Sequence, residues 1–325
     1  MSVDATTAVL RAVGAGEPAS VEPLAGGTYN TVSRVTFGDG RDWVVKIPPA
    51  HTGGLSYEQR LLVNEVTFYG AGAAEGGATI PQVVHSELDP WAPTGAYVVM
   101  TARPGRPWSS VAGDLTADET RALRTELGSI VGRLHGVTGP GGFGYPAEPL
   151  GPLSSTWCEA FTAMTEAVLA DAERYGARLP YPAERIREVL AGASDVLDEV
   201  TRPALVHFDL WQGNLLVTGE PGARRIGGIV DGERMFWGDP LADLVSTSLF
   251  GDPETDLDFL AGYAAATGVP LDFTPSVRRR IDLCRSYLYL IMLTETVPRG
   301  AAPDVVGMTW REVAPRLDAA LEELR

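Results

Sequence analysis

The chain has 325 residues, 45% of them apolar and 21% charged, ordinary values for a globular protein with room for one large domain or two lobes. No run approaches the ~18–20 apolar residues of a membrane-spanning helix, and the N-terminus, interrupted by Asp4 and lacking a basic lead-in, does not read as a secretion signal. A net charge of −16 excludes a general affinity for nucleic acid or anionic lipid; it favours the approach of cations without naming one.

Strand and hairpin signals fill the first hundred residues. A strand near Val21 precedes alternation over 31–37, a Gly38-Asp39-Gly40 turn and a second strand over 42–47. Residues 56–71 read as a helix, with Leu61, Leu62, Val66, Phe68 and Tyr69 at helical spacing. Strands over 83–88 and 96–101 flank an Asp89-Pro90 turn, and Arg103-Pro104-Gly105-Arg106-Pro107 then breaks the pattern as a hinge would.

Beyond the hinge the chain turns helical. Thr116 and Glu119 form a capping box ahead of a stripe of Leu123, Leu127, Ile130, Val131 and Leu134, with Gly136 as the stop. Further helices are expected over 156–176, from Pro182 as far as Leu197, and around 240–250, 254–267, 275–297 and 309–324. The Gly/Pro-rich stretch 139–152 is a connecting loop. Its Gly139-Pro140-Gly141-Gly142-Phe143-Gly144 satisfies G-x-G-x-x-G literally but follows a helix and opens none, so it is no dinucleotide site. The order implies an α+β chain: a sheet-rich N-terminal lobe over 1–102, a larger helical lobe over 103–325, and ligands in the crevice between. Cys158 and Cys284 lie among apolar neighbours and read as buried thiols in a reducing, cytoplasmic compartment.

The most informative segment is His207-Phe208-Asp209-Leu210-Trp211-Gln212-Gly213-Asn214, followed seventeen residues after Asn214 by Asp231. Leu215-Leu216-Val217, a Thr218–Gly222 turn and Ile226–Val230 read as a hairpin that carries Asp231 back alongside Asn214. An amide oxygen and a carboxylate side by side suit Mg²⁺, which takes few protein ligands and keeps waters and phosphate oxygens for the rest. Asp209, in the loop before them, is free to take a proton from an alcohol.

This H-x-D-x4-N…D arrangement resembles the catalytic and metal-binding segments of the protein-kinase-like small-molecule kinases, above all the aminoglycoside phosphotransferase family. Asp231-Gly232-Glu233 and Gly238-Asp239-Pro240-Leu241-Ala242-Asp243-Leu244 resemble that family's D-x-E…G-D-P-x-x-D-L segment at matching spacing. The resemblance implies a bilobal protein-kinase-like fold and transfer of the γ-phosphoryl group of ATP or GTP, with Mg²⁺, to a hydroxyl of a small polar molecule. An aminoglycoside or related antibiotic comes first as acceptor, ahead of sugars and amino sugars, and then choline-like alcohols; the protein would be a monomer or homodimer. It makes Asp209 the catalytic acid–base residue, and Asn214 and Asp231 the metal ligands. It matches Lys46, apolar-flanked in its strand, to the lysine on the α/β-phosphates, with Glu65 as its partner and Glu58 as the alternative. Gly26, Gly27 and Thr28 would approach the phosphates. Met100, Thr101 and Arg103 would border the purine, the last two through main-chain groups.

His207 reads as a support for the loop backbone, and His135, Asp239 and Asp243 as braces. Glu233 either meets a metal or cationic acceptor or is solvated. Trp237 either stacks on a sugar or lies in the core. Phe208 stands where glycine is commonest in the family, and Gly232 where an aromatic is. Trp211 is shared with the fructosamine kinase branch, which widens the range of acceptors.

Overall fold

The computed structural model describes residues 2–24, 30–49 and 54–325. It opens on a helix that the sequence reading did not anticipate, α1 (Ser2–Ala12). There follow β1 (Ser20–Pro23), β2 (Thr31–Thr36), β3 (Asp42–Ile47), a 3₁₀ turn (Ser56–Arg60), α2 (Leu61–Gly76), β4 (Val83–Glu87) and β5 (Tyr97–Thr101). The five strands make one antiparallel sheet in the order β1-β2-β3-β5-β4. Period-2 alternation gives this sheet two different faces. Val35, Trp43, Val45, Tyr97 and Val99 close a small core with Val9 and Leu10 of α1. Val44, Val98 and Met100 pack on the opposite side, in a core that runs on through the helices as far as Leu324. The sheet's inner face therefore shares its core with the helical part of the molecule.

The helix expected over 56–71 is divided at Arg60, whose φ of −135° and ψ of 44° lie outside the helical region. The cause is what residues 54–58 touch. The Ser56 N–H and hydroxyl bond the two Asp171 carboxylate oxygens at 2.5 and 2.7 Å, and the Tyr175 hydroxyl donates to the Gly54 carbonyl at 3.0 Å. The Tyr57 ring stacks on Tyr145 at 5.3 Å. These contacts draw the segment onto the helical lobe before α2 begins.

After β6 (Arg106–Pro107) come α3 (Trp108–Val111), α4 (Ala117–Leu134), α5 (Trp157–Tyr175) and α6 (Ala183–Gly192), then β7 (Ala204–Val206), β8 (Leu215–Thr218), β9 (Arg225–Ile229) and β10 (Phe236–Gly238). The chain ends with α7 (Leu241–Thr247), α8 (Leu257–Thr267), α9 (Pro275–Thr294) and α10 (Pro303–Glu323). The Thr116–Glu119 capping box forms as expected, and Gly176 ends α5 in the left-handed conformation at φ 64°. Helix α6 stops at Gly192 and hands over to a 3₁₀ segment, Ser194–Glu199. Helix α10 starts at Pro303, a residue suited to the first helical turn, several residues before the periodic stripe made it visible. Cys284 is buried and Cys158 half-buried, both as free thiols.

The hinge runs hard against the β8–β9 hairpin. A Cβ on Gly227 would sit 2.1 Å from the Pro104 carbonyl oxygen, and one on Gly105, itself at φ 120°, 2.6 Å from the Val217 carbonyl oxygen. Glycine is required there because backbone lies on backbone. This contact, with the pairing of β6 to β8, ties residues 104–107 to the β8–β9 hairpin.

Candidate active site

Lys46 lies on the inner face of β3, across from Val98 of β5, and is 4% exposed. Its ammonium meets three carboxylates: Glu65 Oε2 at 2.8 Å, Asp231 Oδ1 at 2.5 Å and Glu233 Oε2 at 2.6 Å. Glu65 is thus the α2 partner that the resemblance selected. Glu58, the alternative, turns away; one of its oxygens accepts from the Leu55 N–H at 2.8 Å and the other pairs with Arg299. Glu65 Oε1 accepts from the Tyr69 hydroxyl at 2.8 Å, and that hydroxyl oxygen accepts from the Asp231 N–H at 3.0 Å. One helix therefore positions both the lysine and the backbone of Asp231, which is left-handed at φ 64°.

Burial opposes the charge on Lys46, but the three surrounding carboxylates outweigh it and hold the ammonium protonated. Burial likewise pushes up on Asp231, yet the Lys46 charge and hydrogen bond keep that carboxyl below its usual range. Glu233 responds the other way: desolvation, with Asp231 and Glu65 beside it, takes it up to about 7 despite Lys46. Glu233 also accepts from the Asn30 side-chain amide at 3.1 Å, so it is not a solvated acid.

The catalytic-loop candidates meet as the hairpin reading required. The Val230 N–H donates to the Asn214 carbonyl at 3.0 Å, closing the β8–β9 pair beside Asp231. The Asn214 amide N–H₂ donates to the Asp209 main-chain oxygen and to its Oδ2, each at 2.9 Å, so the carbonyl oxygen of that amide points elsewhere. Burial raises the Asp209 carboxyl, with Arg234 as the main cation opposing the rise. His207 Nε2 sits 3.1 Å from the Val230 carbonyl, while its Nδ1 accepts from the Asp209 N–H at 3.2 Å. A carbonyl can only accept and an N–H can only donate, so the imidazole carries its proton on Nε2 and holds the loop.

Asp243 braces the same loop from below, accepting the His207 and Phe208 N–H groups at 3.0 and 2.6 Å and contacting His135 Nε2 at 3.1 Å. Asp239 caps Leu241 and pairs with Arg280. Phe208 adopts φ 63°, the conformation that explains why glycine is common at this point of the motif. Its ring is packed between Phe236 and Tyr287.

The purine-side candidates sit at the end of β5 and just beyond it. Met100 lies on the same sheet face as Lys46. The Thr101 N–H is already bonded to the Gln82 carbonyl at 2.9 Å, so Thr101 can offer a purine only its carbonyl. The Arg103 guanidinium folds back onto the Ala78 carbonyl and the Thr101 hydroxyl at 2.7 and 2.6 Å, and its side chain covers Gly228. Gly26, Gly27 and Thr28 lie outside the described residues.

Trp237 is core, 3% exposed, whereas Trp211 is 45% exposed and borders a cleft of about 630 Å³ with Ser109, Gln212, Leu249, Asp252 and Asp256. Sequence reasoning missed two half-buried charges that act on Asp209, Arg234 and Glu295, and the more exposed Arg299 that joins them. Arg234 pairs with Glu295 at 2.8 Å, and Arg299 meets the same carboxylate at 3.2 Å. Only the position of Arg234, three residues after Asp231, hinted at this.

A sheet lobe over a helical lobe, with a buried lysine–glutamate pair facing an Asp…Asn…Asp set, defines a kinase-like fold. The chain belongs to the phosphotransferase enzyme family, whose model matches residues 20–281. Among curated proteins it is 30% identical over 138 residues to a probable ketoamine kinase of Synechocystis sp., a match covering 38% of this chain and 42% of that one. A probable ketoamine kinase of Vibrio vulnificus is 32% identical over 91 residues, 28% of either chain. The chain thus spans less than half the length of the curated relatives it matches. Among solved structures, one named "putative fructosamine-3-kinase" from Thermobifida fusca superposes with a TM-score of 0.66 at 22% identity over 94% of both chains. The aminoglycoside phosphotransferase APH(4)-Ia gives 0.63 at 18% identity, covering 99% of this chain and 98% of that one. Both likenesses are of fold. No helix among the described residues is long and apolar enough to cross a membrane.

Proposed function

We propose that this protein transfers the γ-phosphoryl group of ATP to a hydroxyl of a small, polyhydroxylated amine, with residues 1–102 holding the nucleotide and 103–325 supplying the catalytic loop and acceptor site. The observation that carries the reading is the convergence on one crevice of Lys46 with its three carboxylates and Asp209 with Asn214. One ammonium among three acids leaves negative charge in surplus. Glu65, Asp231 and Glu233 offer oxygens within 4.8 Å of one another, a hard donor set that fits Mg²⁺. Asp231 and the Asn214 carbonyl oxygen would hold the ion, with Glu233 beside them. When bound with nucleotide, the metal offsets phosphate charge.

The chain's own residues do the rest. Glu65 orients Lys46 toward the phosphates, and Lys46 stabilises the charge that builds on the transferring group. Asp209, held by the Asn214 amide, aligns the acceptor hydroxyl and receives its proton at Oδ1 or Oδ2 as the oxygen attacks phosphorus. His207 and Asp243 keep that loop in place and take no proton.

A sugar-derived ketoamine is the favoured acceptor. The exposed Trp211 beside a polar cleft suits a sugar ring, and the curated relatives are named ketoamine kinases. An aminoglycoside is the second reading, favoured by the likeness to APH(4)-Ia. An ADP-release assay across N-fructosyl amines and aminoglycosides tests both. The expected result is magnesium-dependent turnover with the fructosyl amines, reduced about 10²–10⁴-fold in Asp209→Asn. Full turnover by that variant would refute the assigned role.

A further inference from the structure

We propose that Arg234, Glu295 and Arg299 form a subsite for a zwitterion beside the acceptor hydroxyl, fitted to a sugar adduct that keeps both the amine and the carboxylate of a free amino acid. This rests on the ketoamine reading above.

The three side chains share one carboxylate oxygen. Arg234 Nη2 lies 2.8 Å and Arg299 Nη2 3.2 Å from Glu295 Oε2. Arg299 Nη2 also pairs with Glu58, whose second oxygen is fixed by the Leu55 N–H. Each guanidinium is therefore anchored through a single nitrogen. A guanidinium has five N–H donors, and among the described residues no acceptor meets the remaining donors of either arginine. Glu295 Oε1 is equally uncommitted. The side chains are not sealed off: Arg234 is 14%, Glu295 17% and Arg299 31% exposed.

A second observation points to the same place. The Tyr57 hydroxyl is buried without a hydrogen-bond partner, and the charges of Arg234, Glu58 and Glu295 all reach it. An unpaired buried hydroxyl is costly unless something polar comes to meet it. Arg234 and Glu295 also lie close enough to Asp209 for their charges to act on its carboxyl.

The charge balance decides the ligand class. Glu58 and Glu295 cancel Arg234 and Arg299, so the set offers no net field to a polycation. It offers spare guanidinium donors to an anion and a spare carboxylate oxygen to an ammonium, side by side. Arginine's planar fork suits a carboxylate. The adduct of a sugar with an amino acid carries both groups next to its ring hydroxyls.

The test compares fructosyl-glycine with its methyl ester, which keeps the amine and loses the carboxylate charge, by ADP release from the full chain with magnesium-ATP. Wild-type protein should favour the acid about 10–100-fold in kcat/KM, chiefly through KM. Arg299→Gln should bring the acid-to-ester ratio close to one, and Arg299→Lys should recover part of it; melting temperatures confirm that the variants fold. A wild-type ratio near one overturns the zwitterion subsite while leaving the ketoamine reading intact, as does a ratio that Arg299→Gln leaves unchanged. Absence of turnover on both compounds removes the ketoamine reading and this subsite with it.

Discussion

Replacing Phe208 by alanine and by glycine separates two opposing effects at the entry to the Asp209 loop. The ring is 1% exposed and lies 5.1 Å from Phe236 and 5.5 Å from Tyr287. Truncating a core phenylalanine to alanine costs about 3–5 kcal/mol. The backbone at φ 63° costs a residue with a Cβ about 1–2 kcal/mol, and alanine retains that strain. Glycine removes it but returns about 0.5–1 kcal/mol to the unfolded chain as entropy. Phe208→Gly should therefore be more stable than Phe208→Ala by about 0.5–1 kcal/mol, although it deletes more atoms. At an ordinary core position the order is reversed. Urea denaturation with a common slope reads the difference as a shift in midpoint. A glycine variant no more stable than the alanine variant would show that the left-handed backbone stores no strain here.

Other outcomes follow from the same contacts. Lys46→Met leaves Glu65, Asp231 and Glu233 facing one another, so the nucleotide-free protein should lose about 3–5 kcal/mol; millimolar MgCl₂ alone should restore part of its melting temperature. Because the folded value of Glu233 is about 7 against an ordinary 4.5, the folded state retains a proton that the unfolded chain releases. In EDTA, the stability from this group is full below pH 4.5 and is lost as pH rises through 7, and Glu233→Gln should flatten that slope in urea melts. Gly227→Ala places a methyl 2.1 Å from the Pro104 carbonyl, so the hinge must move; KM for ATP should rise more than kcat falls, measured by ADP release. Asp243→Asn offers an N–H₂ where backbone N–H groups need acceptors, and should cost about 2–4 kcal/mol with a matching fall in kcat.

The strands, the Thr116–Glu119 capping box and the hairpin that joins Asn214 to Asp231 were legible because each rests on local chemistry. Alternation marks β3, Thr116 and Glu119 announce α4, and a turn of set length returns Asp231 to Asn214. Helix α1 escaped because Val9 and Leu10 make too short a stripe to stand out. The break at Arg60 escaped because much of its cause, the contacts of Ser56 with Asp171 and of Gly54 with Tyr175, lies 115 and 121 residues away in sequence. The Glu58–Arg299 pair spans 241 positions, and ion pairs of that reach leave no spacing to read. The resemblance separated Glu65 from Glu58 where periodicity alone could not, and the contacts of Lys46 agree with it.

The net charge of −16 invites a polycationic acceptor, but the placement of the charges argues otherwise. Around Lys46 there are three acids to one base, a surplus suited to a divalent ion that arrives with the nucleotide. Around the acceptor side, Glu58 and Glu295 face Arg234 and Arg299, and only the Asp209 carboxylate beside them is left over. Most remaining acids are exposed, where a pair contributes about 0–1 kcal/mol and salt screens the field beyond about 10 Å. The acidic surface thus acts on encounter, while the surplus of acid over base is concentrated at the Lys46 end of the crevice. If that division is right, raising ionic strength should slow acceptor capture only modestly, whereas withdrawing magnesium should abolish turnover. Steep salt dependence of kcat/KM for the acceptor, in excess of that for ATP, would return the argument to a polycation.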